Sequence, residues 1–306
     1  MAENDKAIVF DESQFLELGL KTAGFKKWQT YKHHTNIRRF KKAYSAVLRT
    51  AADMWEALRT EPPDSLAHIG IEAKPIHLLI ALRWAFKYDT EDDLGNFFGV
   101  TAKTAAKWSK YIAKRAAILQ EKRMGSLDDN NKGLRFLMTI DGTCCPIWEP
   151  KPFSKDNACF KFGMKPGVNY ELGVSLYEPK LIWINGPMQP GVKTNLMVFQ
   201  EKLKAELPVG TKAIADGIYV SEPEHVSTKN DLDSKEVRKF KNRALARHEN
   251  FNQRLKCYKI LSEKYRHGRK VKNQPEIPHG IAFRFVCCIV SFQLENGATR
   301  LLDPYP

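Results

Sequence analysis

The chain has 306 residues, of which 43% are apolar and 27% are charged. This length and composition are those of a globular protein with one large or two medium-sized domains, each able to bury a core. Forty-nine Lys and Arg residues against 35 Asp and Glu give a net charge of +14, which favours a polyanionic partner. The alternative is a basic protein without such a partner.

Cysteine usage and apolar stretches indicate the compartment. The sequence has no CxxC pair to bind zinc and no secretory leader, so we expect reduced, mostly buried cysteines in an intracellular protein. The longest apolar stretches, 77–86 and 281–292, each contain an arginine and are shorter than the roughly 20 residues of a membrane helix. The cysteines are Cys144, Cys145, Cys159, Cys257, Cys287 and Cys288.

The first part of the chain is predicted to be helical. Residues 1–20 are weakly patterned and are expected to form an arm or a first short helix. From Lys21 the sequence is basic, with apolar residues at helical spacing until EPPD at 61–64, and PIHLLIALRWAFKY at 75–88 is expected to be a buried helix. We therefore assign 21–123 as one helical region, and the pattern at its end predicts that it binds DNA in the manner of a helix-turn-helix.

A helix-turn-helix pattern lies at the end of this region. A helix opened by Thr90 and Asp93 ends at Phe98 and Gly99, and AKTAAKWSKYIAKRAAIL follows almost at once. In this second helix Ala105, Trp108, Ile112 and Leu119 form an apolar stripe. Four lysines form a cationic stripe that suits DNA phosphates, although a solvated surface helix is the alternative. They are Lys103, Lys107, Lys110 and Lys114.

The polar stretch MGSLDDNNKG at 124–133 is the predicted linker, after which the pattern changes to strands. Strands are predicted at 134–141, 158–163, 169–177 and 180–185. A helix at 194–207, a short strand at 211–217 and a basic helix from about 237 to 265 follow. This order predicts an α/β domain over 134–306.

Two aspartates follow apolar runs at predicted strand ends: Asp141 in TIDGTCCPI and Asp216 in AIADG. An unpaired carboxylate at such a place is costly, and two carboxylates brought together repel unless a divalent cation lies between them. Each aspartate precedes a glycine, which allows another group to approach closely. For Asp141 we expect this group to be a phosphate.

A third acid, Glu249, is the only one between Val237 and Ile260. Helical periodicity places it away from the buried stripe of Phe251, Leu255, Tyr258 and Tyr265, on one face with Asn252, Gln253 and Lys256. Asp141, Asp216 and Glu249 are 75 and then 33 residues apart. Such oxygen ligands suit two Mg²⁺ or Mn²⁺ ions about 4 Å apart in phosphodiester cleavage. For each acid alone, a helix cap or a surface ion pair is the alternative.

Four segments in order carry a family resemblance: TIDGTCCPIWEP, NYELGVSLYEPKLIWINGPMQPG, AIADGIYV and RHENFNQRLKCYKILSEKYRHG. Together they resemble the DDE-superfamily endonuclease domain of PIF/Harbinger-type transposases, over roughly 134 to the end. The resemblance implies an RNase H-like mixed sheet with flanking helices. It also implies Asp141, Asp216 and Glu249 as catalytic metal ligands. Ile218 and Asn195 depart from the family pattern, which often has a glycine and an acid there.

The function implied by the resemblance is a magnesium- or manganese-dependent, two-metal DNA endonuclease/transposase. Such an enzyme cuts transposon ends and joins the 3′-hydroxyl to target DNA in the nucleus. The family usually works as an oligomer, here expected as a homodimer, with a separate Myb-like DNA-binding protein. Arg247, Arg254 and Lys256 are expected to contact phosphates.

Two functions compete with this interpretation. One is a catalytically inactive, host-adopted DNA-binding protein derived from such a transposase, and the other is an RNase H-fold nuclease acting on RNA.

His248 is expected to support a ligand or to contact DNA, since metal-bound water needs no separate general base. His267 and His279 are attributed to the family's tail rather than to a zinc site.

Overall fold

The computed structural model describes residues 10–131, 133, 135–149, 154–159, 163–266 and 276–298. The chain divides into two compact units, Met1–Leu119 and Gln120–Pro306. The division falls inside a long helix, a few residues before the predicted linker. Among the described residues, no helix combines the length and the apolar character that crossing a membrane requires.

The first unit is helical in its described part. The short helix expected near the N-terminus forms and buries Phe15 and Leu20, while residues 1–9 lie outside the described residues. The basic segment after Lys21 is not one continuous helix, because Ser45 adopts a left-handed conformation with φ of 57°. The helices are α1 (Glu12–Thr22), α2 (His33–Tyr44), α3 (Leu48–Thr60), α4 (Pro75–Lys87), α5 (Glu91–Phe98) and α6 (Ala102–Met124).

Helix α5 begins at the predicted cap and ends at the predicted residue, and a short turn then leads to α6. The Thr90 hydroxyl accepts a hydrogen bond from the Asp93 amide at 3.1 Å, which caps the start of α5. A Cβ atom at Gly95 would lie 2.7 Å from the Val100 carbonyl oxygen. Only glycine therefore allows the chain to return this closely over α5 before α6 begins.

The second unit contains a mixed, open sheet, so the predicted α/β class is confirmed. Its strands are β1 (Phe136–Pro146), β2 (Ala158–Cys159), β3 (Lys165–Ser175), β4 (Leu181–Met188), β5 (Lys212–Ile214) and β6 (Val226–Ser227). Their order is β4-β3-β1-β5-β6, and β2 pairs with β3. β3 runs antiparallel to its neighbours β1, β2 and β4, whereas β1, β5 and β6 run parallel.

Helices cover both faces of this sheet. On one face Phe199 and Leu203 pack against Met138 of β1, and on the other Phe240 of the basic helix packs near Ile214 of β5. The helical elements are α7 (Asn195–Val198), a wider π-helical segment (Phe199–Leu203), α8 (Lys204–Glu206), α9 (Lys235–Lys256), α10 (Lys259–Ser262) and α11 (Glu276–Gln293).

Several boundaries differ from the sequence prediction: β3 begins at Lys165 rather than 169, β4 continues to Met188 rather than 185, and β5 ends at Ile214 rather than 217. The basic helix predicted to reach 265 ends at Lys256, and α10 follows after a break at Cys257 and Tyr258. The predicted strand end at Asp141 is also wrong, because β1 continues to Pro146 through its pairing with β3. Only the parallel pairing with β5 stops before Asp141, at Thr139.

Candidate functional site

Asp141 lies on β1, and Asp216 lies two residues beyond the end of the neighbouring parallel strand β5. Thr139 of β1 is aligned with Ile214 of β5, and each aspartate follows its aligned residue by two positions. Because side chains alternate between the faces of a sheet, Asp141 lies on the face of Thr139 and its aligned neighbour Ile214. This is the face that α9 covers, since Ile214 packs in one cluster with Phe240.

The Asp141 carboxylate is partly buried and is fixed by two hydrogen bonds. Its Oδ1 accepts from the Gly142 amide at 2.7 Å, and its Oδ2 accepts from the Asn252 side-chain amide at 3.1 Å. The Asn252 bond links the middle of β1 to the last turns of α9. The charge at Asp141 therefore has polar partners in addition to any cation.

Asp216 is exposed and caps a short 3₁₀ turn, Gly217–Tyr219, where its Oδ1 accepts from the Ile218 amide at 3.1 Å. The capping role considered for a single acid is thus present here. The two following glycines differ: a Cβ at Gly217 would meet open space, whereas one at Gly142 would lie 2.5 Å from Asn195 Nδ2. The room expected beside Asp141 for a phosphate is therefore filled by Asn195.

Glu249 is exposed on α9 and lines one cleft with Asp141. Gln253 donates to its Oε1 at 3.4 Å, one turn further along the helix. The polar face that periodicity predicts for Glu249, Asn252, Gln253 and Lys256 thus faces the Asp141 strand. The cleft is lined by Asp141, Gly142, Thr143, Cys144, Glu249, Asn252, Gln253, Lys256 and Cys257.

The carboxylates suit a hard divalent ion by their chemistry, since Mg²⁺ and Mn²⁺ prefer oxygen ligands. They are not gathered into a ligating group: within the described part of the chain, no three His, Cys, Asp or Glu side chains are arranged to hold a metal ion. Asp216 is also not among the residues that line the cleft of Asp141 and Glu249. The side chains of the three acids would have to approach one another for an ion to be shared.

A buried tyrosine lies behind the two aspartates. Tyr219 is 1% exposed, and its hydroxyl has no hydrogen-bond partner among the described residues. Burial raises the pKa of this hydroxyl, and the negative charges of Glu171, Asp141 and Asp216 raise it further. An unpaired buried hydroxyl is costly, so Tyr219 is a strained feature of this region.

Glu171 is a site feature that the sequence interpretation missed. It lies on β3 opposite Gly142, is 2% exposed, and accepts a hydrogen bond from the Trp183 indole at 3.0 Å. Burial raises the pKa of this carboxyl to about 7, against the opposing effects of the Trp183 bond and the Lys202 charge. In the sequence, the indication of this buried carboxyl is a single acid inside the apolar run around YELGV.

The cations expected on α9 have different surroundings. Arg247 is buried, and its guanidinium donates to the carbonyl oxygens of Leu176, at 2.7 Å, and Glu178. This placement gives it a structural role, so we leave it out of the DNA-contacting set. Arg254 is half-buried, and the Lys256 ammonium donates to the Cys144 carbonyl oxygen at the wall of the cleft.

The histidines considered in the sequence lie away from solvent where they are described. His248 is 2% exposed and hydrogen-bonded to the Thr139 hydroxyl at 2.9 Å, and burial lowers its pKa to about 4. It therefore supports β1 near Asp141 rather than contacting DNA. His279 is buried beside the Tyr170 hydroxyl at 2.7 Å, and His267 lies outside the described residues.

In the first unit, the four lysines predicted to form a stripe on α6 are all exposed. Lys110 pairs with Glu91 at 2.9 Å, and the Lys107 ammonium lies 4.9 Å from the centre of the Trp108 ring. Ala105 and Ile112 are buried on the apolar side of the helix. The stripe is therefore open to a ligand, although one of its charges already has a partner.

Comparison of the chain with family models, curated proteins and solved structures found no match in any of the three. The candidate site accordingly rests on the sequence motifs and on the positions of Asp141, Asp216 and Glu249 in the fold.

Proposed function

We propose that this chain is a metal-dependent DNA endonuclease of the transposase type, with an RNase H-like second unit. The observation that carries the proposal is the position of the three acids. Asp141 lies on β1, Asp216 follows the end of the adjacent parallel strand β5 by two residues, and Glu249 lines the same cleft as Asp141. Three chain segments far apart in sequence thus carry these acids: β1, the turn after β5, and α9.

The sheet supports this proposal. β1 is central, with antiparallel β3 on one side and parallel β5 on the other, and helices cover both faces. This agrees with the mixed sheet and flanking helices expected for an RNase H-like core. Asp141 lies on β1, the central strand, which has β3 on one side and β5 on the other.

The residues of the cleft have separate parts in the proposed chemistry. Magnesium held by Asp141, Asp216 and Glu249 would activate a water or a 3′-hydroxyl and stabilise the leaving oxygen. Asn252 and the Gly142 amide fix the orientation of Asp141. Lys256 places a positive charge at the cleft wall, where a phosphate would be attracted.

DNA binding by the first unit is the second part of the proposal. α5 and α6, joined by a tight turn, are arranged in sequence as a helix-turn-helix, and α6 exposes Lys103, Lys107 and Lys114 to solvent. Together with a net charge of +14, these lysines favour contact with phosphates.

One observation favours the alternative, an inactive DNA-binding protein derived from a transposase. Among the described residues, no three metal-ligating side chains are arranged around a common ion position. In this alternative Asp216 is only the cap of its 3₁₀ turn, and the α6 lysines carry the function.

The experiment that tests the proposal measures nicking of supercoiled plasmid DNA with Mg²⁺ or Mn²⁺. Wild-type protein should nick, and Asp141→Asn should not, while both bind a labelled duplex equally well. Asp231→Asn is the matched control, because Asp231 is exposed and does not line the cleft of Asp141 and Glu249. Nicking by Asp141→Asn at the wild-type rate would overturn the assignment. Binding without metal-dependent nicking by wild type would select the inactive alternative.

A further inference from the structure

The strongest charge feature outside the proposed site is a long segment without acids. Between Glu17 and Asp53 the chain has no Asp or Glu but has nine Lys or Arg residues, in a protein whose net charge is +14. Solvated surface helices usually mix both signs, and blocks of like charge repel one another. Such a segment attracts polyanions.

Folding places several of these cations on one face of α2. His34, Arg38, Lys41 and Lys42 are exposed, and at 100° per residue they lie within an arc of about 100°. Asn36, Phe40, Ala43 and Tyr44 are buried on the opposite side. Lys26, Lys27 and Lys32 are exposed just before the helix. We call this set the α2 cationic surface: Lys26, Lys27, Lys32, Arg38, Lys41 and Lys42.

The charges of the α2 cationic surface are not neutralised within the described part of the chain. Cations at the two ends of the acid-free segment do pair, Lys21 with Glu17 at 2.5 Å and Arg49 with Asp53 at 3.0 Å. No described acid forms an ion pair with a member of the surface itself. The surface therefore differs from the α6 stripe, in which Lys110 is paired with Glu91.

An exposed aromatic ring lies next to these cations. The Arg39 guanidinium stacks 3.9 Å from the centre of the Tyr31 ring, and Tyr31 remains 49% exposed. Between 26 and 42, Tyr31 is the only large apolar side chain that is strongly exposed. A membrane-binding helix would need an apolar face open to lipid, but the apolar face of α2 is buried in its own unit. Exposed cations without an open apolar face suit the phosphates of a nucleic acid instead.

We propose that the α2 cationic surface is a second DNA-contacting site, separate from α6, that binds the phosphate backbone of double-stranded DNA without reading sequence. This proposal rests on the proposed function, because DNA is the polyanion that such an enzyme must hold. Contacts at two surfaces of one unit extend the length of duplex that is held. They also strengthen the dependence of affinity on salt.

The test measures the affinity of full-length protein for a fluorescein-labelled 30-base-pair duplex of mixed sequence across a series of NaCl concentrations. The test variant is R38A/K41A/K42A. The control, K21A/R49A/K259A, removes the same charge from exposed cations that are already paired with carboxylates. Melting of all variants checks the fold, and R38Q/K41Q/K42Q repeats the test with longer side chains.

The slope of log affinity against log salt should fall by about 0.9 for each phosphate that is no longer neutralised, or by up to about 2.7 in the test variant. The control should change the slope little.

Equal slopes for the test variant and the control overturn the second site. The second site is also overturned if the test variant loses affinity for poly-L-glutamate but keeps its affinity for the duplex. If K103A/K107A/K110A has a smaller slope while the test variant does not, only the α2 assignment fails. If wild type does not bind the duplex, the proposed function fails as well.

Discussion

Asn252 on α9 donates a hydrogen bond to the carboxylate of Asp141 on β1, at 3.1 Å, across 111 residues of sequence. The bond joins the helix that carries Glu249 to the strand that carries the first proposed ligand. Asn252 is 8% exposed, and its own Oδ1 has no partner among the described residues. It is therefore placed to hold Asp141 in one orientation.

Asn252→Ala should reduce magnesium-dependent nicking about tenfold or more, because a hydrogen bond to a charged group contributes about 1.5–3 kcal/mol. The magnesium concentration for half-maximal rate should also rise, which a purely structural role would not cause. Asn250→Ala, at an exposed neighbouring position, is the control. An unchanged magnesium dependence in Asn252→Ala would show that Asn252 does not position Asp141.

Arg247→Met should lower the free energy of unfolding by about 2–4 kcal/mol, since it removes the hydrogen bonds to the buried carbonyl of Leu176 and the part-buried carbonyl of Glu178. Urea denaturation measures this change. Lys239→Met, at an exposed position on the same helix, should change stability by less than about 0.5 kcal/mol. If Arg247→Met folds with wild-type stability and binds DNA with a smaller salt slope, the phosphate-contact role expected from sequence is restored.

Glu171 should make the protein less stable as the pH rises. Its pKa is about 7 in the folded protein against an ordinary 4.5, so between these values the folded state keeps a proton that the unfolded state has released. The free energy of unfolding therefore falls through this window, by roughly 3 kcal/mol in total, and changes no further above it.

Glu171→Gln removes this contribution and keeps an acceptor for the Trp183 indole. The variant should be more stable than wild type at pH 8 and close to wild type at pH 4.5, as measured by urea denaturation at both values. Glu224→Gln, at an exposed site, should show no such difference. A stability gain that is equal at both pH values would contradict the raised pKa.

Gly142 and Asn195 should behave as a coupled pair. A methyl group at 142 would lie within 2.7 Å of three Asn195 side-chain atoms, so Gly142→Ala should destabilise the protein by about 1–3 kcal/mol. Shortening the neighbour in Gly142→Ala/Asn195→Ala should recover most of this stability. Thermal melting of the two single variants and the double variant gives the coupling energy, and strict additivity would mean that the two side chains do not meet.

The sequence predicted the local structure well where periodicity and capping act alone. The helices at 75–87 and 91–98, with the cap at Thr90, follow from apolar spacing and an N-cap residue. The break at Ser45 and the end of α9 at Lys256 were not predicted, because both depend on a local backbone turn inside an unbroken helical pattern. The helix α11 was seen only as an apolar run, since its buried surroundings remove the periodicity.

The candidate site was predictable only in part. The face of Glu249 follows from helical spacing, and it lies with Asp141 in one cleft. The partners of Arg247 were not predictable, because they are the backbone carbonyl groups of Leu176 and Glu178, and every residue has such a group. Glu171 was missed for a similar reason: only the fold shows that its strand lies beside β1.

The most direct test of the shared metal site is affinity cleavage of the protein itself by Fe²⁺ bound in place of Mg²⁺. With ascorbate and hydrogen peroxide, bound iron generates hydroxyl radicals that cut the nearby backbone. We predict fragments ending close to Asp141, Asp216 and Glu249, all suppressed by excess Mg²⁺ and all absent together in Asp141→Asn. Cuts that omit any one of these three segments, or that persist in Asp141→Asn, would contradict the claim that the three acids share one ion site.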